Sequence, residues 1–177
     1  MPKRNLSIRE LCLISIFVAI IAVCAQISIP TAFGVPMTLQ TLAITFSGLV
    51  LGAKNGTIAV LVYVLLGAVG VPVFASFSGG LGVIFGRTGG FIISFPFLAF
   101  AAGMGANKSR PLLALWLILG AAVNYVSGML MFSFITTNGL AASFSFVVLP
   151  FVPITIIEIA LVVVFGKSIK RVLVMQR

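Results

Sequence analysis

The sequence predicts an all-α membrane protein: one domain over residues 1–177, built from six membrane-spanning helices, with both termini in the cytoplasm. Three observations carry that prediction. The chain is 61% apolar and only 7% charged, against about a quarter charged residues in a soluble domain, so it cannot cover a surface with polar groups. Its apolar runs are long enough to cross a bilayer and are separated by short polar or proline-containing turns. Its Lys and Arg residues stand at the ends of those runs, as membrane topology requires.

The same composition excludes several function classes. A net charge of +9 would suit nucleic acid if the basic residues shared a polar face with aromatics between them, but they do not, and no nucleic-acid partner is expected. There is no histidine and there are only two acidic residues, which leaves neither a catalytic nor a metal-ligating constellation. No enzyme activity, metal or bound cofactor is expected. Cys12 and Cys24 share the first apolar run, where twelve helical residues separate them by roughly 18 Å, too far for a disulfide. The basic start MPKRN imitates a signal peptide. The apolar run from Leu11 to Ile29 is longer than a signal core and carries no clean small-residue cleavage site, so it reads as the first membrane helix.

In chain order, a basic head with Lys3, Arg4, Arg9 and Glu10 precedes helix 1 at about 8–27. Residues 28–37, with two prolines and a glycine, read as a loop. Helix 2 covers about 38–53, Lys54-Asn55-Gly56 reads as a tight turn, and helix 3 covers about 57–71, stopping at Pro72. The stretch Gly70–Phe91, GVPVFASFSGGLGVIFGRTGGF, is too rich in glycine for a helix. Helix 4 covers about 89–105. The polar turn from Asn107 to Pro111 leads into helix 5 at about 111–134, with proline suited to the first helical position. Residues Thr136 to Gly139 open a loop, and helix 6 covers about 145–166, with Pro150 and Pro153 expected to kink or break its start. The tail carries Lys167, Lys170, Arg171 and Arg177.

Six spans place all Lys and Arg residues but one on the side of the termini, and the excess of positive charge marks that side as cytoplasmic. The exception is Arg87. It precedes Thr88-Gly89-Gly90 at the expected start of helix 4, where unpaired N–H groups and a partial positive charge favour an anion. Glycines let backbone approach a ligand, and arginine adds two-pronged carboxylate recognition. Two readings stand open: a carboxylate site facing outward, or an arginine that reaches up to lipid headgroups. Glu158 is the one acid inside a predicted span, where burial is costly unless it is paired or functional. A pocket wall, an ion pair with Arg87 and a structural hydrogen bond all fit it. Asn124, Tyr125 and Ser127 in helix 5, and Gln40 and Thr41 at the start of helix 2, raise the choice between helix glue and cavity lining. Together with the glycine-rich break they point to a small pocket on the outer side. Ala19, Ala22 and Ala25 make a narrow small-residue strip on helix 1 that permits close approach of another helix, within the chain or from a partner. Gly48 and Gly52 form one GxxxG in helix 2, a weak signal of the same kind.

Four blocks in order, AQISIPTAFGVPMTLQTL (25–42), GLVLGAKNG (48–56), LLGAVGVPVFA (65–75) and SGGLGVIFGRTGGF (78–91), resemble the BioY family, the substrate-binding S components of energy-coupling factor (ECF) vitamin transporters. The resemblance covers most of the chain. It implies a six-helix S-component-like bundle with a vitamin pocket at the outer side, formed by the loops and helices 4 to 6. It implies docking through Ala19, Ala22 and Ala25 onto a transmembrane T component driven by two ATPase subunits. The chain has no phosphate-binding loop of its own, so those partners would supply the energy. Two departures stand out. The family pattern G-P-T-G-G-Y has Arg87 in place of proline and Phe91 in place of tyrosine. The pattern P-G-D with Lys three residues on is replaced by Pro153-Ile154-Thr155 and Glu158.

The expected function is therefore an S component in the cell membrane that captures a vitamin made of a ring and a carboxylate tail. Arg87 and the N–H groups of Thr88, Gly89 and Gly90 would hold the carboxylate. Ser78, Gly79 and Gly80 would supply backbone contacts, Phe33 and the 28–37 loop would close over the ligand, and Gln40, Asn124, Thr155 and Glu158 would line the pocket or its ring end. Loss of the family's polar pair favours lipoate, whose dithiolane ring asks for no hydrogen bonds, slightly over biotin, whose ureido ring does, while the family resemblance alone implies biotin. The rival expectations are a self-sufficient ion-coupled carrier, disfavoured by the single buried acid and the absence of a duplicated half, and a ligand-free membrane scaffold.

Overall fold

A computed structural model describes the backbone of residues 6–174 and the side chains of 6–166 and 168. The basic side chains of Lys3, Arg4, Lys167, Lys170, Arg171 and Arg177 lie outside that set, so the charge asymmetry is a property of the sequence alone.

The chain is mostly helical. Helix α1 (Ile8–Gln26) starts at a capping box, in which Ser7 Oγ accepts from the Glu10 N–H at 3.2 Å and the Glu10 carboxylate accepts from the Ser7 N–H at 2.9 Å. This pairing satisfies two of the donors that a helix start leaves open. Residues 28–37 are more ordered than a loop. Strand β1 (Ser28–Ile29) pairs antiparallel with β2 (Met37–Thr38), with Ser28 opposite Thr38, and the ribbon turns through Gly34 at φ +79°.

Helix α2 (Gln40–Ala68) is interrupted at Gly52, where φ 82° and ψ 170° are not helical. The chain doubles back there. Gly56 lies against the Gly48 backbone, and the Gln40 side chain reaches Tyr63 at 2.8 Å, although 23 residues of straight helix would separate those two by roughly 35 Å. The expected turn at Lys54–Gly56 is thus misplaced. One glycine in a conformation closed to residues with a Cβ makes the whole reversal, and Lys54, Asn55 and Gly56 are already helical. The GxxxG pair splits accordingly, Gly52 serving the turn and Gly48 the packing.

After α2 come a tight turn at Ala75–Phe77 and the short helix α3 (Leu81–Ile84). Helices α4 (Gly89–Gly105) and α5 (Arg110–Thr136) fall close to their expected bounds. The last predicted span is broken, as its prolines require. Helices α6 (Leu140–Val147) and α7 (Val152–Val174) meet at a 53° bend. Helix α6 starts inside the stretch read as a loop.

By length and composition α1 and α5 can each cross a membrane, α2 has the length only with its two halves taken together, and α6 with α7 can cross if the bent pair counts as one span. Large apolar side chains are exposed along the long helices, among them Ile16 at 52%, Leu65 at 62% and Ile118 at 53%. So much exposed apolar surface belongs in lipid, and the chain is an integral membrane protein. The core centres on Phe17, Ile21, Ile44, Val60, Tyr63, Phe74 and Phe95. The two halves of α2, with α4, form the closest part of the bundle. Gly48 has no room for a Cβ against the Ala99 carbonyl, and Gly103 has none against the Ala53 backbone.

Candidate functional site

A cavity of about 320 Å³ opens among the loops and runs down between α2, α4, α5 and α7. On α4 it extends from Thr88 to Leu98, roughly 15 Å of helix. Its walls are mainly apolar, with Phe74, Phe91, Phe95 and Phe151 among them, and its polar groups are few. That is the constitution of a small-molecule site.

The polar groups are placed by the helices that carry them. Asn124, buried in α5, donates from Nδ2 to the Phe91 carbonyl at 3.0 Å and to Ser94 Oγ at 2.8 Å. Those bonds fix the amide, and its Oδ1 carries no hydrogen bond among the described residues. Glu158 on α7 is 9% exposed and accepts from Thr41 Oγ1 at 2.9 Å through one oxygen. Its other oxygen has no hydrogen bond among the described residues. Tyr125 and Thr155 pair through their hydroxyls across α5 and α7. Gln40 donates to Tyr63 Oη, which donates in turn to the Val73 carbonyl at 3.0 Å. The interior therefore presents acceptors, from Asn124, Glu158 and Gln40, that take no hydrogen bond among the described residues.

Of the expected site residues, Gln40, Ser78, Thr88, Asn124, Thr155 and Glu158 line this one cavity. Arg87 stands at the mouth. Its side chain is exposed, lies against Gly34, which itself lines the cavity, and makes no ion pair or hydrogen bond among the described residues. An ion pair between Arg87 and Glu158 is not formed. Phe33 is outside the lining but stacks on Phe146 with ring centroids 4.2 Å apart, which seats the ribbon tip on α6.

The glycines are placed differently from the expectation. Gly79 and Gly80 are not in the lining. Gly79 packs on the Val71 carbonyl, and the Gly80 N–H bonds to the Gly67 carbonyl at 2.6 Å. Gly89 and Gly90 are buried against the Ile84 and Ser127 carbonyls, and the Gly89 N–H is already taken by Gly86 at 3.0 Å. They let α4 approach its neighbours instead of facing a ligand. On α1, Ala19 is exposed, Ala22 half-buried and Ala25 fully buried. Only the first of the three presents a free side chain, because a three-residue spacing walks around the helix. Gln26 and Tyr63, which the sequence does not single out, hold the loop that borders the cavity.

The BioY family model matches residues 1–174. The chain belongs to the BioY family. It is 42% identical over 163 residues to the probable biotin transporter BioY of Pyrococcus horikoshii, an alignment covering 92% of this chain and 96% of that protein. It is 39% identical to the biotin transporter BioY of Thermotoga maritima, with 92% and 96% covered, and 36% identical to the biotin transporter BioY2 of Lactococcus lactis, with 96% and 94% covered. The fold is similar, at TM-score 0.85 and 26% identity over 97% of this chain and 95% of the other, to the crystal structure of the S-component for biotin from an ECF-type ABC transporter. The BioY relatives are named as transporters and the structural neighbour is a transporter subunit, so the chain is not an enzyme.

Proposed function

We propose that this chain is the substrate-binding S component of an ECF-type importer and that its ligand is biotin, held ring-down in the cavity. The observation that carries the choice is the set of free acceptors. Asn124 Oδ1 and the second oxygen of Glu158 suit the two N–H donors of a ureido ring, and a buried acceptor left unpaired costs about 1–3 kcal/mol. Lipoate has no such donors. The departure from the family's polar pair suggests a less polar ring end, but Glu158, Thr41 and the Tyr125–Thr155 pair keep it polar, which withdraws the reason for favouring lipoate. The names of the relatives point the same way. At the mouth, the unpaired guanidinium of Arg87 beside Thr88 suits the carboxylate tail.

The same reading takes the two halves of α2 as separate spans, which with α1, α4, α5 and the α6–α7 pair makes six, and puts both termini in the cytoplasm. Docking to a T component and two ATPase subunits follows from membership of such an importer, with the α1 face around Ala19 and Ala22 as the contact. Titration of the purified protein with biotin and with lipoate tests the ligand. Biotin is expected to bind at least about tenfold more tightly. Equal or tighter binding of lipoate, or binding of neither, overturns the assignment. Arg87→Ala is expected to weaken biotin by about tenfold or more, the worth of a charged hydrogen bond. Undiminished affinity removes Arg87 from the site.

A further inference from the structure

The segment from Val73 to Ser78 is a tongue that supplies Phe74, Ala75, Ser76 and Ser78 to the cavity wall. Its backbone is unusual. Ser76 and Phe77 both adopt left-handed conformations, φ 57° and 53°, which side chains with a Cβ disfavour and which persist only where the surroundings impose them. Burial does not impose this one, since the Phe77 side chain is 72% exposed. The tongue is anchored at its root, where Phe74 is buried against Gly67 and edge-on to Tyr63. Its own bonds close it, the Phe74 N–H donating to the Ser78 carbonyl at 3.0 Å and Ser78 Oγ to the Ala75 carbonyl at 2.7 Å, and one side chain of α1 ties it to the end of that helix. Gln26 shares its two Nε2 protons among the Ala22 carbonyl of its own helix at 3.0 Å, the Phe74 carbonyl at 3.1 Å and the Val73 carbonyl at 3.3 Å, and its Oε1 accepts from the Phe77 N–H at 2.8 Å.

Gln26 is the last residue of α1. The next residue, Ile27, accepts at its carbonyl from Leu39 at 3.2 Å, closing the base of the β1–β2 ribbon. The Val73 carbonyl is also reached by Tyr63, which Gln40 contacts from inside the cavity. A continuous polar path thus runs from a cavity-lining side chain through the tongue to the end of α1, a helix whose opposite face is exposed at Ile16, Ala19 and Val23.

We propose that Gln26 is a positioning residue that latches the tongue over the cavity, so that ligand stays in while Gln26 holds Val73, Phe74 and Phe77 and leaves when the end of α1 moves. The inference rests on the reading of this cavity as the biotin site. Its signature is kinetic: a latch governs departure more than arrival.

The test is Gln26→Met, which keeps the length and removes both the donor and the acceptor. Association and dissociation of biotin are followed by rapid mixing on the purified protein, and amide exchange is followed across residues 74–78. Dissociation is expected to be about tenfold faster, the loss of one to two ordinary hydrogen bonds, with association changed by less than about threefold. Exchange is expected to quicken at Phe74 and Ser78 as well as at Phe77, because the tongue opens as a unit. Unchanged dissociation, or faster exchange at Phe77 alone, overturns the latch. If the parent protein binds no biotin, the ligand assignment fails while the exchange pattern still decides for or against the latch. Should Gln26→Met not fold, Gln26→Glu keeps the acceptor for Phe77 but turns a second oxygen on the Val73 and Phe74 carbonyls, which repel it, and is expected to speed release by about tenfold or more; release at the parent rate counts against the proposal.

Discussion

At Gly52 the chain reverses through one residue and the helices on either side close upon each other through glycine. At the C-terminal end of α2, the connection from Ala68 to Gly89 takes a tight turn, a short helix and two left-handed residues, and side chains from α1 and α2 hold it. The first turn brings Gly48 and Gly56 into backbone contact and takes no part in the cavity between α2, α4, α5 and α7. The second borders the cavity along its length. A turn that is cheap in residues exposes little backbone. A long one has carbonyls and N–H groups to satisfy, and in a membrane protein such backbone is tolerated where protein or a cavity surrounds it. One end is built for shape and the other for access.

Substitutions can break or sharpen that contrast. The largest effect is expected from Gly48→Val, whose Cβ would sit on the Ala99 carbonyl of the neighbouring helix. Backbone cannot step aside, and a loss of about 3 kcal/mol is expected, seen as a lowered Tm in detergent. An unchanged Tm would mean that the closed end is not close-packed. Gly52→Ala meets nothing within 4 Å and suffers only from its φ of 82°, so a smaller loss of about 2 kcal/mol is expected. Measured together, the two variants separate packing from conformation at one turn. At the open end the readout shifts from stability to binding. Glu158→Gln should weaken biotin by about tenfold while leaving lipoate binding unchanged, as expected when an acceptor oxygen facing the ring can be replaced by an amide donor; parallel losses for both ligands in a calorimetric titration would make Glu158 structural. The smallest effect belongs to Phe33→Ala. Its stack on Phe146 is worth about 0.5–1.5 kcal/mol, and since the ring is partly exposed, a loss of at most about 1 kcal/mol in biotin affinity is expected, with no change in Tm. A marked drop in Tm would show the ribbon tip to be part of the core.

Some of the site was legible before folding and some was not. Asn124 and Glu158 stand out because a polar group within an apolar run needs a reason, and both line the cavity. The four glycines at 79, 80, 89 and 90 stand out as well, but glycine serves a turn, a close helix contact or a ligand equally. Which of these it does depends on what lies opposite, and here the carbonyls of Val71, Gly67, Ile84 and Ser127 do. Gln26 carries no local mark at all. A glutamine at the end of a helix is unremarkable until the chain brings Val73, Phe74 and Phe77 to it from 47 to 51 residues away.

By itself the sequence determined the medium, the main helices and the neighbourhood of the breaks, because lipid demands long apolar runs, and proline and glycine act on the chain locally. It also determined which few polar side chains must find a purpose. Only the tertiary structure decided that the first reversal falls at Gly52, that α6 stands apart from α7 at an angle, that Ala25 faces inward while Ala19 faces out, and that the free acceptors of Asn124 and Glu158 share a cavity with Arg87 at its mouth. Those outcomes turn on which surfaces meet across long stretches of chain, where the energy lies in contacts that local pattern does not encode.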